Sequence, residues 1–362
     1  MNCNKGDVNM KKKSLLLLGI MLIITFAGAI IISLANSKAV DVGSNDKKLK
    51  VVATFYPVYL IGLNIAGQAE DIEVNSLTEL NTGCLHDYQL TTEDMKLISD
   101  ADVLIINGGG MESFMRDITE NYPELDIIDA SQGITMLKED YESYGEEEAS
   151  DESNAAAETA AEKEAGGKPG ISNGNPHVWL NPQLYIKQIE NVRDGLVNYL
   201  TTSDTIPALK IDKLRQGIEM NAGTYIEEII ELDSELTDIT DSLASVSDQT
   251  QNAPQAVIFH DSFAYLANRA GLRIAFTVPL DSDTSLSAGD IATIIDAVRQ
   301  EDIKYLFTEQ QYSDSIAKQI AAETGAKVFI IDSVVTGDGA KDSYLKAMRE
   351  NLKVLKEALQ YK

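Results

Sequence analysis

His86, His177 and His260 are the only histidines in the chain, and no two of them lie at a short spacing. Without a His-x-x-x-His or a paired Cys-x-x-Cys, zinc fingers and helical metallohydrolase motifs are excluded. His86 sits in Gly83-Cys84-Leu85-His86-Asp87-Tyr88. His177 sits in Asn175-Pro176-His177-Val178-Trp179-Leu180-Asn181-Pro182, beside the single tryptophan. His260 directly follows the apolar run Val257-Ile258-Phe259. Two carboxylates share that last kind of position: Glu309 after Tyr305-Leu306-Phe307-Thr308, and Asp332 after Phe329-Ile330-Ile331. Ligands of open α/β sheets sit beyond the carboxyl ends of parallel strands. Three nitrogen donors and a carboxylate could therefore meet on one metal ion drawn from remote parts of the sequence. Each residue also has a plainer reading. A single histidine is usually a core or surface residue, an Asp or Glu after a strand (Asp261 included) caps a helix or forms a turn, and Trp179 reads as a packing anchor. From the pattern alone both readings stay open.

The elements that would carry these residues alternate. Apolar strand-like runs at Val51–Phe55, Val103–Ile106, Ala256–Phe259, Tyr305–Phe307 and Val328–Ile331 are separated by helical stretches. Those stretches include one ending near Ala66, one that Thr91 and Asp94 can cap, and three at about 262–270, 287–300 and 313–324. This alternation predicts an α/β protein with parallel sheets and helical crossovers, and at 362 residues two lobes. Leu214, Ile218, Tyr225, Ile229, Leu232 and Leu236 recur at helical spacing through a long segment from Ala208 to about Val246. A helix of ~58 Å is too long for one lobe and is expected to join two. The expected boundaries are 50–206 for the N-terminal lobe, 207–247 for the linking helix and 248–362 for the C-terminal lobe.

Composition narrows the function. A net charge of −27 argues against nucleic-acid binding, which requires a basic face. Between Glu139 and Glu164, eleven Asp or Glu stand against one Lys, with no large aliphatic residue; a disordered acidic loop over 139–174 is expected. Lys11–Lys13 precede 22 uncharged residues, Ser14–Ala35, enough for a helix of ~33 Å. Residues 1–36 therefore read as an uncleaved membrane anchor or, with Ser37-Lys38-Ala39 as exit, a cleaved signal, and 37–49 as a tether. The body is then extracytoplasmic, held on the outer face of the membrane, or secreted if the segment is removed. Cys3 and Cys84 lie on opposite sides of the apolar run, so no intrachain disulfide is expected.

From Val51 to Leu359 the sequence resembles the zinc and manganese solute-binding proteins of ABC importers. The resemblance is carried by Thr54-Phe55-Tyr56-Pro57, His86-Asp87-Tyr88, Asn107-Gly108, His177-Val178-Trp179-Leu180-Asn181-Pro182, His260-Asp261-Ser262-Phe263-Ala264-Tyr265, Glu309-Gln310-Gln311-Tyr312-Ser313 and Asp332-Ser333, in order. It implies two α/β lobes joined by a rigid helix, an ion in the cleft between them, and ligands His86, His177, His260 and Asp332. Glu309 is implied behind the ligands. Cys84, two residues before His86, departs from the family pattern and is either a spare soft donor or, as the favoured reading, a bystander. The acidic loop stands where zinc-specific members often carry histidines. The cargo implied is Zn(II), with Mn(II) or Fe(II) as alternatives, because imidazole-rich shells suit zinc and oxygen-rich ones manganese. Manganese-type members place Glu where this chain has His260. A monomeric receptor serving an ABC transporter permease follows, not an enzyme; the rival readings are a cell-surface zinc hydrolase and an adhesin.

Overall fold

The computed structural model describes residues 48–67, 69–138, 142–143, 174–204, 206–244, 253–278, 286–310 and 314–360. The expected N-terminal anchor or signal and most of the acidic loop lie outside them. No helix among the described residues is long and apolar enough to cross a membrane. Lys48–Lys362 form one compact unit.

Within it are two parallel sheets. The first contains β1 (Leu49–Ala53), β2 (Ile72–Ser76), β3 (Val103–Ile106) and β4 (Asp126–Asp129) in the order β2-β1-β3-β4. Helices α1 (Tyr56–Ile65), α2 (Thr92–Ser99) and α3 (Met115–Asn121) cross between its strands. The second contains β5 (Glu142–Ser143), β6 (Gln255–Ile258), β7 (Arg273–Thr277), β8 (Tyr305–Glu309) and β9 (Lys327–Ile331) in the order β5-β7-β6-β8-β9. Its crossovers are α6 (Ala264–Arg269), α7 (Ala288–Gln300) and α8 (Ser315–Thr324). Central strands buried on both faces read as continuous apolar runs, which is why β3 (VLII) is buried at every position. The α/β architecture with parallel sheets agrees with the sequence reading. One element does not follow from it: Glu142–Ser143, inside the segment expected to be disordered, pair in parallel with Phe276 and Thr277 at the edge of the second sheet.

The long helix α5 runs from Ala208 to Ala244, 37 residues. All six periodic residues named above are buried, and the helix packs on α4 (Pro182–Thr202), α1 and the C-terminal α9 (Ser343–Gln360). The main hydrophobic core runs from Leu49 through this helix to Ala358 and takes in residues of both sheets. A smaller cluster, including Val257, Ile294, Leu306 and Ile320, fills the space between the second sheet and helices α7 and α8.

Strand order places two crevices. In the first sheet the chain leaves β1 toward β2 and later returns on its other side as β3. In the second it leaves β6 toward β7 and returns as β8. Each reversal opens a crevice at the carboxyl ends of the paired central strands. Thr54 and Asn107 border the first, His260 and Glu309 the second.

Candidate metal centre

His86 lies in the loop between β2 and α2. That loop is tied down at its far end, where Thr91 and Asp94 form a reciprocal capping box. Tyr88 donates to the same Asp94 at 2.8 Å; burial first, then this bond, pushes the Tyr88 phenol up to about 12. His177 opens a single 3₁₀ turn, Val178–Leu180, ahead of α4, whose start is capped by Asn181 with Pro182 in the first turn. Trp179 anchors that turn. It is fully buried, meets Phe55 edge-on at 5.3 Å, and donates its indole N–H to the Ser333 carbonyl at 2.8 Å. Tyr344 donates to the Trp179 carbonyl at 2.8 Å. The packing role read for Trp179 from sequence thus extends from the first sheet to the segment after β9.

A buried network behind His177 starts at the first crevice. The Glu112 carboxylate accepts from Thr54 Oγ1 at 2.7 Å, Asn107 N–H at 2.7 Å and Gly108 N–H at 3.1 Å. Asn107 in turn donates to the Pro176 carbonyl at 3.0 Å, and Gln188 donates to Asn107 Oδ1 at 2.9 Å. Gly108 is required here: its φ is 79°, and a Cβ would lie 1.9 Å from Asp129 Oδ1. Burial raises the Glu112 carboxyl to about 7 against the pull of its three donors.

The three imidazoles converge. The His86 and His177 ring centres are 5.1 Å apart, those of His177 and His260 4.9 Å. Asn175 Oδ1 accepts the His177 backbone N–H and lies 2.9 Å from Nδ1. A proton on Nδ1 leaves the Nε2 lone pair facing His86 Nε2 at 3.3 Å and Cys84 Sγ at 3.6 Å. Glu309 Oε1 pairs with His260 Nδ1 and also accepts from Ser262 Oγ, which turns His260 Nε2 toward Asp261 Oδ1 at 3.4 Å. Burial, then the neighbouring His260 and His86, hold the His177 imidazole well below its ordinary range. His177 is therefore neutral at neutral pH, the state a metal ligand needs.

Among the described residues, His86, His177, His260 and Asp261 each offer one ligand atom, and these atoms all lie within 4.8 Å of one another. The carboxylate in this group is Asp261 and not the expected Asp332. Asp332 does follow β9, but its Oδ1 accepts the Val334 N–H at 2.7 Å, in a turn that puts Val334 at a φ of 58°. Burial raises the Asp332 carboxyl, the Val334 bond opposes this, and the Glu309 charge adds to the rise. Glu309 pairs with His260 at Nδ1, the nitrogen away from Asp261. Cys84 faces the imidazoles rather than away from them. Its Sγ lies 3.6 Å from His177 Nε2, the nitrogen that His86 Nε2 also approaches. Sequence reasoning passed over Asn175, Glu112 and Ser262 as site residues; for Asn175 the only signal was its place two residues before His177.

The sequence profile described as ZnuA, zinc-uptake complex component A, periplasmic, matches residues 51–358. The chain belongs to the ZnuA family. Zinc-binding protein AdcA of Streptococcus pyogenes is 30% identical over 316 residues, 85% of this chain and 56% of that protein. Iron-binding protein YfeA of Yersinia pestis is 28% identical over 302 residues, 83% of this chain and 82% of that one. The chain spans about half the length of the AdcA relatives it matches. Among solved structures, manganese-complexed FpvC of Pseudomonas aeruginosa aligns with a TM-score of 0.65 at 22% identity, over 87% of this chain and 99% of that one, a likeness of fold. The Zn(II)-bound ZnuA-like domain of Streptococcus pneumoniae AdcA aligns with a TM-score of 0.60 at 25% identity, over 86% of this chain and 98% of the domain. In this ZnuA-family chain the three histidines stand on the loop before α2, at the 3₁₀ turn before α4 and just after β6.

Proposed function

We propose that this chain is an extracytoplasmic receptor that captures one transition-metal ion, zinc by preference, and delivers it to the permease of an ABC-type importer. The observation that carries this reading is the spacing of the donors. Nitrogens ~2.0–2.1 Å from a tetrahedral zinc are ~3.3 Å from each other. His86 Nε2 and His177 Nε2 are 3.3 Å apart, and His260 Nε2 and Asp261 Oδ1 3.4 Å. His86, His177 and His260 are the proposed ligands, with Asp261 as the carboxylate in reach as the side chains stand. Asp332 joins only if its carboxylate leaves the turn with Val334. Glu309 orients His260 from behind, as carboxylates commonly do for metal-bound imidazoles.

Zinc over manganese or iron follows from the predominance of imidazole. Relatives named zinc-binding AdcA support it, and one named iron-binding YfeA keeps iron as the alternative. A catalytic zinc keeps an open position with a general base beside it. Here the buried carboxylate beside His260, Glu309, already pairs through Oε1 with His260 and Ser262, which favours a receptor over a hydrolase. A relative named a zinc-binding lipoprotein supports a body held at the outer membrane face. The test is binding to the purified, metal-stripped chain. We expect one Zn(II) per chain and a higher melting temperature, equivalent to ~2.7 kcal/mol at a free zinc concentration a hundred times Kd. We also expect His260→Glu to narrow the preference for Zn(II) over Mn(II). A chain whose melting is unmoved by Zn(II), Mn(II) and Fe(II) contradicts the proposal.

A further inference from the structure

We propose that Cys84 supplies a sulfur ligand to the bound ion, making this a mixed sulfur–nitrogen site for zinc and softer cations. The inference rests on the metal-receptor reading and specifies its donor set. Cys84 Sγ lies 3.6 Å from His177 Nε2. For a tetrahedral zinc with Zn–S ~2.3 Å and Zn–N ~2.0–2.1 Å, the sulfur–nitrogen edge is ~3.6 Å, longer than the ~3.3 Å nitrogen–nitrogen edge. Both edges meet at His177 Nε2, since His86 Nε2 stands 3.3 Å from the same atom. That nitrogen is the one left with a lone pair when Nδ1–H donates to Asn175 Oδ1.

Asp261 does not compete for this corner. Its carboxylate meets His177 at Nδ1, at 3.3 Å, on the side already engaged by Asn175. Cys84 and His86 therefore meet His177 at the same nitrogen, Nε2, and Asp261 meets it at the other. The plainer alternative is a small apolar side chain resting on the core edge, and Cys84 does touch that core. Packing alone, however, does not require its sulfur to lie at a ligand–ligand distance from an imidazole nitrogen. Coordination as a thiolate releases the thiol proton to solvent as the metal binds. It also adds a soft sulfur to the donor set, which disfavours manganese.

Co(II) is the probe, loaded into the full-length purified chain and its Cys84→Ser variant. The wild-type chain should bind one Co(II) with an intense near-ultraviolet sulfur-to-cobalt charge-transfer band. Cys84→Ser should still bind one Co(II) on its imidazoles, without that band, and its preference for Zn(II) over Mn(II) should fall at least ~10-fold. One Co(II) per wild-type chain with no charge-transfer band overturns the sulfur ligand and leaves the receptor reading standing. A band that persists in Cys84→Ser overturns it too, because the sulfur is then another. A wild-type chain that retains neither Co(II) nor Zn(II) overturns the receptor reading itself. The wild-type spectrum is decisive even if the serine variant folds poorly.

Discussion

Two buried groups near the centre respond to acid in opposite directions. The folded-state pKa of His177 is depressed below the ordinary histidine value, so below pH ~6.5 unfolded chains take up a proton that the folded chain refuses. Its contribution to stability is complete above that pH and is lost as pH falls. Glu112 is raised from 4.5 to about 7. Between those values the folded chain holds the extra proton, so stability rises as pH falls and partly masks the effect of His177. We expect metal-free Glu112→Gln to lose melting temperature more steeply than the parent between about pH 7 and pH 5; equal slopes would show that Glu112 is not the compensating group. Glu309 is a second residue-scale test. Glu309→Gln weakens the charged partner of His260 Nδ1 and should lower zinc affinity by ~10–100-fold at unchanged stoichiometry. Titration against a competing chelator reads this directly, and an unchanged affinity contradicts the positioning role. The three histidines were legible in the sequence because each sits in a motif or at a strand end. That Asp261 stands within reach of the imidazoles while Asp332 is held by the Val334 N–H was not, because it depends on a local turn and not on sequence position.

At the scale of elements, legibility followed burial. β3, β6, β8 and β9 are apolar runs and were visible. So was α5, whose buried residues keep a helical period over 37 positions. β2 (IEVNS) and β4 (DIID) are the edges of the first sheet, with one neighbour each and an exposed acidic residue, Glu73 or Asp126. They carry no apolar run, and neither does the two-residue β5. α5 also contains an inexpensive test of its role as a rigid strut. A Cβ on Gly217 or Gly223 would meet nothing within 4 Å. Each Gly→Ala change should therefore stabilise the chain by ~0.5–1 kcal/mol through a better helix former and a less flexible unfolded state. Urea denaturation measures it. A loss of stability in either variant would mean that the helix is curved or packed differently at that residue.

For the whole molecule, the centre depends on contacts that tie the first sheet's loops to the second sheet's. Asn175 Nδ2 donates to the Asp261 carbonyl at 2.8 Å, Tyr265 donates to the Asn175 carbonyl at 2.6 Å, and Trp179 reaches Ser333. Asn175 thus fixes the His177 ring with its oxygen and the His260–Asp261 segment with its amide. The donors are brought together by the same contacts that join the sheets, so an ion bound there ties both together. The most direct test is a crystal structure of the zinc-loaded chain with anomalous data at the zinc edge. The account predicts one zinc peak per chain, bonded at ~2.0–2.1 Å to Nε2 of His86, His177 and His260. A zinc peak elsewhere, or one lacking any of these three nitrogens, would contradict it.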